Sequence, residues 1–242
     1  MKKTIQFFSL LFLLSAFNLK AQTDFKFGFQ ASPSFSWMSS SDNKINSNGT
    51  NLGMKFGLVA EYYFAPNYGV VTGAGFAFNQ GGTLLHDVGG DLWKESDLSN
   101  TDFHDLPAGV KLKYNLQYIE IPMGFKMRTG EFGYLRYFAE LPILTLGILT
   151  QARGNIEGTG RMAEKEDIKK DVTPINLAIG FGGGVEYTIN ENTSLVGGIY
   201  YHNGFIDMTS NKAEKIDADL NKKVDDSKGV VKNITLKIGV IF

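Results

Sequence analysis

Four glutamates, Glu61, Glu120, Glu140 and Glu186, stand on the polar side of stretches that alternate apolar and polar residues. A carboxylate in such a place can act as a general acid or base, or relay a proton. Six cations share that side: Lys26, Lys55, Lys126, Arg128, Arg136 and Lys237. Interleaved charges of both signs also have a use that needs no substrate. In a confined interior they pair and offset one another's desolvation. The distribution of these residues over many segments fits that second use, an ion-paired filling, better than one reaction centre.

Other chemistry-bearing patterns are thin. His86, His104 and His202 are far apart and show no paired-ligand spacing, so no metal site is expected. The chain has no Cys, which excludes disulfides, thiolate metal sites and a thiol nucleophile. Gly180-Phe181-Gly182-Gly183-Gly184 lies inside an alternating stretch rather than before a helix, so it is no phosphate cradle. No G-x-S-x-G elbow is present. The expectation is a protein that is not an enzyme and holds no cofactor. A formal net charge of −1 over 242 residues gives no electrostatic case for nucleic acid.

What must position these residues is a set of strands. Period-2 alternation recurs in eight segments. The first sets Phe25, Phe27, Phe29, Ala31, Phe35 and Trp37 against Lys26, Gly28, Gln30, Ser32, Ser34 and Ser36. The others cover 52–65, 68–79, 113–128, 131–146, 173–188, 193–205 and 230–242. In the fourth, Ile119, Ile121, Met123, Phe125 and Met127 oppose Tyr118, Glu120, Gly124, Lys126 and Arg128. In the fifth, Leu135, Tyr137, Ala139, Leu141 and Ile143 oppose Tyr134, Arg136, Phe138 and Glu140. Short links at Pro66-Asn67, Thr129-Gly130 and Asn190-Glu191-Asn192 exchange with long ones over 38–51, 80–112, 147–172 and 206–229.

Regular exchange of tight and long links, with strands of about 12–16 residues, is the pattern of an up-and-down transmembrane barrel. The fold expected is all-β: eight antiparallel strands, with strand one paired to strand eight because lipid cannot satisfy a free edge. A soluble periplasmic sandwich or lipocalin-like binding protein is the rival. Residues 1–21, with Lys2 and Lys3 before an apolar run, read as a signal peptide, leaving 22–242 as the barrel. The location expected is the outer membrane, with both termini periplasmic and lipid as the surrounding partner.

Local features add detail. Eight strands leave a bore that side chains fill, and the inward glycines make room for long ones. Pro122 and Pro142 each remove a ladder donor and predict a bulge, with Glu120 and Glu140 near the freed groups and Lys126 and Arg136 as candidate partners. Tyr62, Tyr63, Phe64, Tyr68 and Tyr187 lie beside the short links and read as an interfacial girdle. Ile216, Leu220 and Val224 recur at four-residue spacing within 207–228, which is compatible with a rim helix.

The stretch Leu116-Gln-Tyr-Ile-Glu-Ile-Pro-Met-Gly-Phe-Lys126, followed by Tyr137-Phe-Ala-Glu-Leu-Pro142, resembles the PorT-like outer-membrane β-barrel family, porin-like proteins of the Bacteroidota. The resemblance implies a barrel whose terminal aromatic, here Phe242, signals to the barrel-assembly machinery. It also puts a tie to a secretion apparatus among the implied roles. The function expected is structural or interactive, reaching other envelope proteins through the long loops. A narrow passive channel is the alternative.

Overall fold

The computed structural model describes residues 24–209, 212–216 and 222–242; the signal-peptide reading of 1–21 falls outside them. Eight long strands form the wall: β1 (Asp24–Ser40), β2 (Ile45–Ala65), β3 (Tyr68–His86), β4 (Val110–Arg128), β5 (Leu135–Gly158), β6 (Ile175–Thr188), β7 (Ser194–Gly204) and β8 (Gly229–Ile241). Each pairs antiparallel with the next in sequence, and β8 returns to β1. That closing seam runs from Gly28 opposite Ile241 to Ser40 opposite Gly229. Phe242 extends it, donating its N–H to the Phe27 carbonyl at 2.7 Å and accepting from the Phe27 N–H at 3.2 Å. The result is an eight-stranded, up-and-down antiparallel barrel.

Pro66-Asn67 is a two-residue turn as expected, but the other short links lengthen to 129–134 and 189–193, and the long links are not loops throughout. The stretch 38–51 shrinks to a turn at 41–44, because β1 and β2 run on through it. β3 continues to His86 and β4 begins at Val110. β5 extends to Gly158 and folds back as the arm Arg161–Asp167. The rim helix is also overturned. Glu214–Ile216 is a strand, pairing with Lys222–Val224 on one side and Gly90–Asp91 on the other; Leu220 lies outside the described residues. Backbone partners at Gly90 and Asp91 satisfy this segment better than a narrow apolar stripe would as an isolated short helix.

The same wall is therefore two layers, which β4 shows most plainly. From Glu120 to Lys126 its even-numbered side chains face a polar interior, while Ile121 and Met123 are exposed on the outer face. From Val110 to Tyr118 the even-numbered side chains Val110, Leu112, Tyr114, Leu116 and Tyr118 are buried and mainly apolar. Their odd-numbered neighbours Lys111, Lys113, Asn115 and Gln117 face outward. The strand does not change which parity points inward; the polarity of both faces changes. In the turn-end layer the barrel is apolar outside and polar inside. In the loop-end layer it is polar outside, around a core of Met38, Leu84, Trp93, Leu106, Leu112, Leu116, Ile156, Ile168 and Met208 among others.

Each fully buried Leu or Ile of that core is worth about 1.5–3 kcal/mol. The segment between β3 and β4, including the 3-10 turn Thr101–His104, drops Leu92, Trp93, Phe103 and Leu106 into it. Gly154 has no side chain because the Trp93 ring occupies that space.

Candidate functional site

The sequence places its charged residues on inward positions of six strands, and the ring sorts them into separate groups. Nearest the turns, the Lys126 ammonium, fully buried, lies 2.6 Å from Glu61 Oε1 and 2.5 Å from Glu186 Oε1. Tyr63 donates its hydroxyl to Glu61 at 2.7 Å, and the Phe138 ring lies under the ammonium at 4.5 Å. Tyr63 is thus a lumenal residue, 1% exposed, and not part of the girdle; alternation turns it inward between Tyr62 and Phe64. The Arg128 guanidinium covers its ring at 3.6 Å.

A second group joins Glu140, the Tyr200 hydroxyl at 2.9 Å and Lys237 at 3.4 Å. Gly182 leaves the space that the Tyr200 ring fills. A third pairs Lys55 with Glu120 at 2.9 Å. Glu120 and Glu140 therefore have Lys55 and Lys237 as partners, not Lys126 or Arg136. Arg136 stays at the rim on Glu131, 2.7 Å away, and half-buried Lys26 stands in register with Glu61 on β2.

Of the two prolines only Pro142 makes the expected bulge; Pro122 stays in register opposite Thr145, so the bulge expected there is absent. Leu141-Pro142 is a bulge against both neighbours, since Glu140 pairs with Gly182 and Ile143 already with Gly180. On the other side Lys126 pairs with Glu140 and Gly124 with Ile143. This extra residue turns Ile143 inward, 4% exposed, against the outward position expected of it. At Pro122 the Thr72 hydroxyl donates to the proline carbonyl at 2.9 Å.

Between the ion pairs lies a cavity of about 70 Å³ lined by Lys55, Glu120, Glu140, Tyr200, His202 and Lys237 among others. Gln30 Oε1, Ser32 Oγ, Thr145 Oγ1 and His202 Nδ1 also border it and have no protein partner. Buried polar atoms of this kind take up water where space allows. Above it the apolar core closes the bore.

That core and the pins around it are what sequence reasoning missed. Trp93 donates its indole N–H to the Tyr114 hydroxyl at 3.1 Å. The Asp171 carboxylate accepts from the Ser96 hydroxyl at 2.6 Å and the Glu95 N–H at 3.1 Å, and its burial raises its pKa. Glu166 accepts from the N–H and hydroxyl of Ser99. Lys215 lies between Asp42 at 2.9 Å and Asp225 at 3.3 Å. The histidines end in three places: His104 on Asp91 at 2.9 Å, His202 in the lumen, and His86 in the loop-end core with neither ring nitrogen bonded. Burial pushes His86 down to about 4, against the pull of Asp225, Asp42 and Asp87.

Residues 20–210 match the family described as outer membrane protein beta-barrel domain. The chain belongs to this family. It is an outer-membrane β-barrel, and its outward apolar band is the surface that the bilayer covers. Among solved structures, it is similar to Neisserial surface protein A, at 14% identity over 91% of this chain and 98% of that chain, with a TM-score of 0.44. It is also similar to a major outer membrane protein of Thermus thermophilus, at 16% identity over 90% and 99% of the two chains, with a TM-score of 0.43. A third is the outer membrane protein OprG of Pseudomonas aeruginosa, at 14% identity over 93% and 99%, with a TM-score of 0.41. No curated protein matches the sequence.

The Lys126 group yields a direct prediction. Lys126→Met leaves two carboxylates buried against each other and destabilises the barrel by about 3–5 kcal/mol in urea unfolding from detergent micelles. The triple variant E61Q/K126M/E186Q recovers most of that loss. A Lys126→Met barrel as stable as the wild type would contradict the pairing.

Proposed function

We propose that this protein is a non-conducting outer-membrane barrel whose loop-end layer is a folded cap that binds another envelope component, with the turns and both termini in the periplasm. The observation that carries this reading is the closed bore: an apolar core at one end, the buried Lys126 group at the other, and about 70 Å³ between them. A channel needs a continuous polar path, and a core of Leu, Ile and Trp opposes one. The cap, by contrast, has a shape to offer. An open groove of about 850 Å³ lies between the β3–β4 segment and the β5 arm, lined by Val88, Leu106, Pro107 and Ala108 together with Lys44, Arg161, Asp87 and Asp105. Short turns on the periplasmic side are the usual arrangement of such barrels. The lumenal ion pairs then serve as filling, not as acid–base machinery.

A photo-crosslinking residue in place of Ala108 is expected to form a discrete adduct in intact cells that the same residue at Phe132, in the turns, does not. Purified protein in planar bilayers is expected to show no steady open state. Steady currents that shift when Glu120 is neutralised, with Ala108 silent, would favour the passive-channel reading. A tie to a secretion apparatus, prompted by the PorT-like segment Leu116–Lys126, is a narrower form of the same proposal. The Ala108 adduct would then be a component of that apparatus.

The closing seam supports a role for Phe242 as the signal read by the barrel-assembly machinery. Its two backbone bonds to Phe27 lie at the interface, where side-chain changes cost only about 0–1 kcal/mol. Deleting it is expected to leave urea unfolding nearly unchanged and to lower the amount inserted in cells severalfold. Equal inserted amounts would defeat this.

A further inference from the structure

We propose that the β4–β5 face of the cap binds the phosphate of lipid headgroups in the leaflet at the loop end. The proposal rests on placement in the bilayer and not on the partner groove, so either can fail without the other. The last lipid-facing rung of this face is Ile119 opposite Ile148. Directly above it come Gln117 opposite Gln151, Asn115 opposite Arg153, and Lys113 opposite Asn155. These three rungs hold two cations, four amides and no acid. Lys111 opposite Glu157 follows only higher up.

Two more cations join from the side. The arm Arg161–Asp167 runs beside β5 and brings Lys165, whose N–H bonds Asn155 Oδ1 at 3.0 Å. Lys169 Nζ donates to the Thr150 carbonyl at 3.0 Å, two residues above Ile148. Of the nearby acids, Glu166 is turned into the cap on Ser99, while Glu164 is exposed beside Lys165 on the arm. Asp167 is exposed, stands in register with Arg153 and pairs with it at 3.6 Å, so it offsets part of that cation's charge. Among the described residues, Lys113 and Lys165 have no carboxylate within ion-pair distance.

Four cations, two of them without an ion-pair partner, set among amide donors at the edge of an apolar band, fit a ligand with an anionic head and acyl chains. The band takes the chains, as it does for any lipid. The three rungs select for phosphate by charge and by hydrogen bonds. A free anion would gain the second contact without the first, and a protein partner would not need the cations to sit against the lipid edge.

The test is native mass spectrometry of the full-length barrel, purified in detergent and offered either bisphosphorylated lipid A or the same lipid with its phosphates removed. Wild type is expected to retain the phosphorylated form at least about tenfold better, since several cations each contribute near the surface. The variant K113Q/R153Q/K165Q/K169Q should lose that preference. So that misfolding is not mistaken for lost binding, K113Q/K165Q changes only the two side chains without ion-pair partners. It should keep its heat-modifiable band and lose preference severalfold. The matched cap variant K44Q/K94Q/K222Q/K228Q should keep the preference. Equal retention of the two lipids by wild type, equal loss in the matched variant, or full competition by equimolar inorganic phosphate would each overturn the proposal.

Discussion

A strand sends successive side chains to opposite faces whatever surrounds it, and this wall has two surroundings. In the bilayer the outer face must be apolar; beyond it the outer face must be wettable. A continuous strand meets both demands only by exchanging the polarity of its faces part-way along. The inner face is then forced to exchange as well, because residues displaced from the outside have nowhere else to go. The lumenal ion pairs and the apolar cap core are two consequences of that one constraint. They are also mutually dependent. The cap core fills the top of the bore, and the Lys126 group joins β2, β4 and β6 across the lower wall beside a small apolar cluster of Phe138, Ile143, Val196, Tyr200 and Ile241.

The architecture was legible because the lower layer obeys one rule on every strand. Strand count, pairing of β1 with β8, the turn at Pro66-Asn67 and the bulge at Pro142 all follow from alternation and the chemistry of proline, whereas Pro122 stays in register and makes no bulge. The charged residues were legible as a set but not as pairs. Lys55 meets Glu120 and Lys237 meets Glu140 through the stagger of neighbouring strands, and stagger leaves no mark in any single segment. Ile143 was misplaced because one bulge residue flips every side chain after it.

The cap was the larger miss, although its signal is present in the sequence. Along Val110 to Met127 the apolar residues sit at even positions up to Tyr118 and at odd positions from Ile119. Taken as noise at a strand end, that change of phase makes 80–112 and 147–172 look like loops. Taken as a change of solvent, it marks the height at which the wall leaves the bilayer. The strand Glu214–Ile216 was hidden for a different reason. Its partner, Gly90–Asp91, is distant in sequence and only two residues long, so local spacing could not reveal it.

The exchange of faces can be measured on β4 alone, and a chain without native Cys suits the purpose. Single cysteines placed from Lys111 to Met127 and spin-labelled in lipid nanodiscs report contact with lipid through oxygen and contact with water through a nickel chelate. At odd positions, chelate access is expected from 111 to 117 and oxygen access from 119 to 127, with even positions shielded from both along the whole strand. Oxygen access continuing through Asn115 and Lys113, or open chelate access at Leu112 and Leu116, would contradict a two-layer barrel.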